Sequence, residues 1–145
     1  MVSNKILLVE DNDDDIELVE LALNSGFIAN ELDVVKDGAE AIDYLHCEGK
    51  YKSRSLDELP ALILLDLNLP KVNGFEVLKE IRTNQRTKLI PVTIFTSSDQ
   101  EKDIVESYKL GANSYIQKPV DFKKFKEAIK QLGLYWLIFN KKPII

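Results

Sequence analysis

The sequence predicts an α/β domain, a doubly wound, five-stranded parallel sheet with helices on both faces. Three observations carry this expectation. Short apolar runs alternate with stretches of helical spacing along the chain, the pattern of repeated strand–helix units. One run, Ala61 to Leu65, is apolar without interruption, as suits a strand covered on both faces. No internal repeat or low-complexity tract competes with this reading, and right-handed crossovers leave few topologies.

Each element has its own signal. Ile6-Leu7-Leu8-Val9 is too short for a helix and reads as a buried strand. Asp13 to Ser25 follows with Ile16, Val19 and Leu23 at helical spacing, and Gly26 stands after its end. Leu32 to Val35 reads as the second strand, closed by Lys36-Asp37-Gly38, and Gly38 to Cys47 as a short helix carrying Ala41, Ile42 and Leu45. After the third strand, Gly74 to Thr83 places Phe75, Leu78 and Ile81 on one helical face. Pro91 to Phe95 is the fourth strand, and Gln100 to Leu110 a helix closed by Gly111. Ser114 to Gln117 is a short fifth strand, after which Asp121 opens the last helix. The charged connection Glu48 to Pro60 is longer than is usual in such folds and reads as a solvated loop, with partner docking as the alternative.

Composition narrows the function. With 145 residues and 16.5 kDa the chain suits one domain, residues 1–145, with 133–145 extending the last helix into a tail. A net charge of −5 and a pI near 5.0 argue against nucleic acid as a partner, which calls for a basic face. No apolar stretch approaches the roughly 20 residues of a membrane span, and no signal peptide is expected, because the first strand-like run begins at Lys5 and leads into acidic residues. The single cysteine, Cys47, cannot form an internal disulfide, so a reducing, cytoplasmic setting is expected.

In an open parallel sheet, ligands bind outside the carboxyl ends of the strands. Glu10 and Asp11 follow the first strand, Asp66 the third, Thr96 and Ser97 end the fourth, and Lys118-Pro119 follows the fifth; Lys36-Asp37, after the second, is uninformative. Two carboxylates about 4 Å apart repel by roughly 4 kcal/mol at an effective dielectric of about 20, so three ionised together call for a cation. All-oxygen ligands favour Mg²⁺, Mn²⁺ or Ca²⁺ over zinc, and Mg²⁺ suits so sparse a cage. An aspartate can accept a phosphoryl group as an acyl phosphate, with Thr96 and Lys118 binding its oxygens. Asp66, at the end of the most buried strand, is the best acceptor candidate. Each residue also has a plain structural explanation. Asp11 and Asp13 to Asp15 suit a helix N-terminus, and for Asp13 to Asp15 that account is preferred. Asp66 alone would be a turn residue, Thr96-Ser97 a helix cap and Lys118 a solvated charge; their coincidence at one edge argues otherwise.

These residues resemble the receiver domain of two-component response regulators. The likeness rests on Leu7-Leu8-Val9-Glu10-Asp11-Asn12, on Leu64 to Pro70 with Gly74, on Phe95-Thr96-Ser97, and on Gly111-Ala112 before Lys118-Pro119. It implies a flavodoxin-like sheet in the order 2-1-3-4-5 and a protein that is a phosphoacceptor rather than an enzyme, although it assists its own phosphorylation and dephosphorylation. It further implies phosphorylation of Asp66 by a histidine kinase, with Mg²⁺ held by Glu10, Asp11, Asp66 and the backbone carbonyl of Asn68. Thr96 and Lys118 would bind phosphoryl oxygens, the Lys118–Pro119 bond would be cis, and Tyr115 would be the aromatic switch responding to Thr96. Asn68 and Ser98 match positions that tune dephosphorylation, and Glu10 stands where many members carry Asp.

At this length no DNA-binding output domain is expected, so signalling is expected through the domain's own surface. Phe122, Phe125, Ile129, Leu132 and Trp136 form one apolar stripe, widened by Leu134, Tyr135 and Phe139. A homodimer interface including Phe122, Phe125, Tyr135 and Trp136 is expected, the alternative being a helix folded back on its own domain; Gly133 marks a possible break. The Leu-Asn-Leu-Pro segment, the long connection and the Tyr135-Trp136 tail resemble single-domain regulators paired with cyanobacterial phytochrome histidine kinases. Light sensing would belong to the kinase, because Cys47 beside His46 is no convincing bilin site.

Three rivals fare worse. A haloacid-dehalogenase-like phosphatase would carry its nucleophile on the first strand with a second Asp two residues later. A flavodoxin-like nucleotide carrier would need a glycine-rich phosphate loop where Glu10 to Asp15 repel phosphate. A pseudo-receiver would not need the full acidic, hydroxyl and lysine set.

Overall fold

The computed structural model describes residues 4–24, 30–118 and 121–143. Five strands form one parallel sheet in the order β2-β1-β3-β4-β5. They are β1 (Lys5–Val9), β2 (Glu31–Val35), β3 (Leu62–Leu65), β4 (Val92–Thr96) and β5 (Ser114–Gln117). The helices between and after them are α1 (Asp13–Asn24), α2 (Gly38–His46), α3 (Gly74–Thr83), α4 (Glu101–Lys109) and α5 (Phe122–Gly133). The class and strand order are those expected.

Alternation along the strands builds two cores from one sheet. Leu7 and Val9 of β1 with Ile63 and Leu65 of β3 face α2 and α3, meeting Tyr44, Leu45, Val77, Leu78 and Ile81. Ile6, Leu8, Leu62 and Leu64 face the other way, against Ile16, Val19 and Leu23 of α1 and Phe125 and Ile129 of α5. Both faces of β3 are therefore covered, which explains its unbroken apolar sequence.

Side-chain caps set the helix starts. Asp37, silent in the sequence reading, caps α2 by accepting from the Glu40 N–H, and Asn73 caps α3 by accepting from the Glu76 N–H. Asn12 accepts from the Asp15 N–H at 2.9 Å at the start of α1. Gly74 allows α3 to begin directly on the site: a Cβ there would lie 2.3 Å from the Asp66 carbonyl oxygen.

Three details differ from the sequence expectations. The connection from 48 to 60 is not simply a solvated loop. It contains a 3-10 turn (Gly49–Tyr51), and Arg54 donates to the carbonyls of Tyr44 and Glu58 while Arg86 donates to those of Leu45 and Leu56. The chain does not break at Gly133 but widens into a π-helix over Leu134–Phe139. Phe125, expected at a dimer interface, is fully buried and stacks on Phe95 at 4.9 Å between ring centroids. The stripe begun by Phe125 and Ile129 thus covers the chain's own sheet and α1, because β3 and β4 need an apolar lid on that face. Ser25, Gly26 and Pro119, with the peptide bond preceding it, lie outside the described residues.

Candidate phosphoryl and cation site

Parallel strands deliver their carboxyl ends to one edge, and in this order the switch point lies between β1 and β3. Glu10 follows β1 and Asp66 follows β3. Both are buried, at 0% and 5% exposure, whereas Asp11 between Glu10 and α1 is exposed. One carboxylate oxygen from each of Glu10, Asp11 and Asp66 lies within 4.8 Å of the other two. Backbone donors orient the two buried groups: the Asn12 N–H reaches Glu10 Oε2 at 3.2 Å and the Asn68 N–H reaches Asp66 Oδ1 at 3.1 Å.

Lys118 enters from β5. Its backbone N–H donates to the Thr96 carbonyl at 2.6 Å, so the ends of β4 and β5 are aligned. Its ammonium lies 4.8 Å from the centre of the Phe95 ring and donates to Glu10 Oε1 at 2.5 Å, Asp15 Oδ2 at 2.8 Å and Asp66 Oδ2 at 3.2 Å. Burial by itself favours the neutral amine, but the hydrogen bonds from Asp15 and Glu10 and the charge of Asp66 outweigh it and raise Lys118 above the ordinary lysine value. Glu10 is pushed up to about 7, chiefly by burial and further by Asp66, against the pull of Lys118. One ammonium among the carboxylates of Glu10, Asp11, Asp15 and Asp66 leaves the site short of positive charge.

Thr96 completes the set. It is fully buried, and its hydroxyl has no hydrogen-bond partner among the described residues. Such an atom costs free energy unless something binds it. Tyr115 is half-buried with its hydroxyl donating to the Ser98 carbonyl at 2.9 Å, while the Ser98 hydroxyl donates to Asp103 at 2.6 Å. The structure therefore brings Glu10, Asp11, Asp66, Thr96 and Lys118 together, with Asn68 at their edge, while Tyr115 bonds instead to Ser98, two residues beyond Thr96.

Asp15 was missed. The helix-dipole account explained its position in the first turn of α1, but its carboxylate turns onto Lys118. The signal was present: Asp15, Val19 and Ala22 follow i, i+4, i+7, and Val19 and Ala22 are buried. Asp13, by contrast, pairs with Lys36 at the surface at 2.7 Å.

Oxygen donors short of cationic charge, beside an unpartnered hydroxyl and a lysine, fit a divalent cation together with an oxyanion. Fold and site thus define a doubly wound domain whose carboxyl edge gathers carboxylates, a lysine and an unpartnered hydroxyl at the switch point of its sheet. The chain belongs to the response regulator receiver domain family, whose family model matches residues 6–130.

Response regulator Rcp1 of Synechocystis sp. is 41% identical over 91% of this chain and 88% of its own length. The probable methanogenesis regulatory protein FilR2 of Methanothrix harundinacea is 38% identical over 95% of this chain and 86% of its own. Among solved structures, the phosphorylated cyanobacterial phytochrome response regulator RcpA superposes with a TM-score of 0.89 at 42% identity, covering 99% of this chain and 100% of its own. The Mn²⁺-bound form of Rcp1 superposes at 0.87 with 39% identity, covering 97% and 99%. The bacteriophytochrome response regulator RtBRR gives 0.80 at 50% identity, covering 99% and 85%. Among the described residues, no helix is long and apolar enough to cross a membrane.

Proposed function

We propose that this receiver accepts a phosphoryl group on Asp66 from a histidine kinase of the phytochrome type and signals by protein contact. The observation that carries the reading is the Thr96 hydroxyl, buried and unpartnered at the same edge as Lys118 and Asp66. In the transfer, an Asp66 carboxylate oxygen bonds to phosphorus as the phosphorus–nitrogen bond of the donor phosphohistidine breaks, its electron pair passing to the imidazole. Lys118 and Thr96 hold two of the phosphoryl oxygens, and the Asn68 N–H keeps Asp66 oriented. Glu10, Asp11, Asp66 and the Asn68 carbonyl would hold Mg²⁺, which supplies positive charge to the transferring group when bound. Hydrolysis by water returns the carboxylate, so the protein is a switch that is reset rather than an enzyme with a separate substrate. Tyr115 reads the state of the site as Thr96 moves towards the phosphoryl group and Ser98, its hydroxyl's partner, follows.

The phytochrome assignment is supported by the likeness to RcpA and RtBRR, described as phytochrome and bacteriophytochrome response regulators. A histidine-kinase partner implies a cytoplasmic setting, and the acidic balance suits a protein rather than a nucleic-acid target. The C-terminal face supports a homodimer: Phe122, Tyr135, Ile138 and Phe139 are exposed and Trp136 is half-buried.

The test is intact mass after incubation with acetyl phosphate and Mg²⁺. A single phosphoryl adduct is expected, absent without Mg²⁺ and absent in Asp66→Asn. A folded wild-type protein that gains no adduct would overturn the reading. Transfer from a phosphorylated phytochrome kinase, compared with transfer from an unrelated histidine kinase, tests the partner.

A further inference from the structure

The Lys118 ammonium has three N–H donors, and three carboxylates take them, those of Glu10, Asp15 and Asp66. Glu10 and Asp66 belong to the acidic cluster that suits a cation; Asp15 does not. A cation at that cluster would therefore compete with Lys118 for Glu10 and Asp66 but leave Asp15 to the lysine. Asp15 is also the nearer of the two aspartate partners, at 2.8 Å against 3.2 Å for Asp66. It is held in place by its N–H bond to Asn12 Oδ1 and stands one turn above buried Val19. With its side chain 26% exposed, it sits at the mouth of the site while Glu10 closes the floor.

We propose that Asp15 is a positioning residue that competes with the phosphoryl group on Asp66 for the Lys118 ammonium. This rests on the phosphoacceptor reading of Asp66. When a phosphoryl group replaces the bare carboxylate, its oxygens need the ammonium that Asp15, the one partner outside the cation cluster, still holds. Close engagement of the phosphoryl group draws that ammonium away from Asp15. Asp15, partly solvated and outside the cation cluster, yields at least cost, because water can replace the lysine at its carboxylate. The strength of the Asp15 contact then sets how firmly Lys118 engages the phosphoryl group, and so how far the switch closes at a given level of phosphorylation.

The experiment measures the affinity of beryllium fluoride, a phosphoryl mimic, in the presence of Mg²⁺ by ¹⁹F NMR titration. It compares wild type with Asp15→Asn, Asp15→Glu and Asp14→Asn. Asp14 lies exposed on the same helical turn and is the control for charge alone. Asp15→Asn is expected to bind roughly fivefold more tightly, the scale of one partly exposed ion pair. Asp15→Glu and Asp14→Asn are expected to stay within about twofold of wild type. Asp15→Asn at or below wild-type affinity overturns the proposal. So does an equal gain in Asp14→Asn, which would make the effect general electrostatics, or an equal gain in Asp15→Glu. Wild-type protein that binds no beryllium fluoride and takes no phosphoryl group from acetyl phosphate would instead remove the phosphoacceptor reading itself.

Discussion

The two edges of the sheet both gather charge, but they treat it in opposite ways. At the amino edge, the long segment before β3 is bound by cations that reach backbone carbonyls and carboxylates of neighbouring elements. Arg54 donates to the carbonyls of Tyr44 and Glu58 and stacks on the Tyr44 ring at 3.7 Å, Arg86 donates to Leu45 and Leu56, and Lys5 lies among Glu31, Asp33 and Glu58. One atom there, Arg54 Nε, is buried without a partner among the described residues, although its guanidinium is otherwise engaged. At the carboxyl edge, carboxylates outnumber the lysine that serves them, Glu10 is pushed up to about 7 by burial, and the Thr96 hydroxyl bonds nothing among the described residues. The first edge spends its polar groups on holding the chain together. The second leaves them incompletely matched, an arrangement that costs stability and suits the binding of a ligand.

If that contrast is right, substitutions at the two edges separate stability from phosphorylation. The largest effect belongs to Lys118→Ala. Removing the ammonium leaves buried carboxylates uncompensated and should cost about 3–5 kcal/mol in urea unfolding without Mg²⁺. Added Mg²⁺ should recover part of this loss by binding the native state. Phosphorylated Lys118→Ala should no longer pass its response to a partner. Arg54→Ala comes next, with about 2 kcal/mol lost from broken bonds to Tyr44 and Glu58 and from the Tyr44 contact. Its phosphorylation by acetyl phosphate should match wild type; a large loss there would break the comparison.

Thr96→Val inverts the pattern. Because the hydroxyl is an unpartnered buried group, an apolar isostere should leave stability unchanged or raise it by up to about 1 kcal/mol, while weakening beryllium fluoride binding. A clear destabilisation would show that the hydroxyl is already satisfied. The smallest change in stability is expected for Phe139→Ala, whose side chain is 68% exposed. Its readout is assembly: light scattering should show a lower mass than wild type, and a wild-type monomer at high concentration would remove the dimer.

The sheet and the carboxyl-edge cluster were legible because both follow from where strands end. Once Ile6 to Val9 and Ala61 to Leu65 read as strands, Glu10 and Asp66 had to emerge at one edge. Phe125 was less legible, since a helical stripe shows that a face is apolar but not whether its cover is the chain's own sheet or a second copy. Asp15 was obscured by a sufficient local explanation, the helix terminus, although its spacing to Val19 pointed inward. The staples from Arg86 reach backbone carbonyls far away in sequence and those from Arg54 reach carbonyls on either side of it, and no periodicity in a charged segment announces such partners.

The most direct test of the central claim is to trap the modified residue. Protein treated with acetyl phosphate and Mg²⁺ would be reduced with borohydride, which converts an aspartyl phosphate to homoserine, and its peptides mapped by mass. The account predicts homoserine at position 66 and at no other aspartate. Modification at Asp11 or Asp15 instead, or none in a folded protein with Mg²⁺ present, would contradict it.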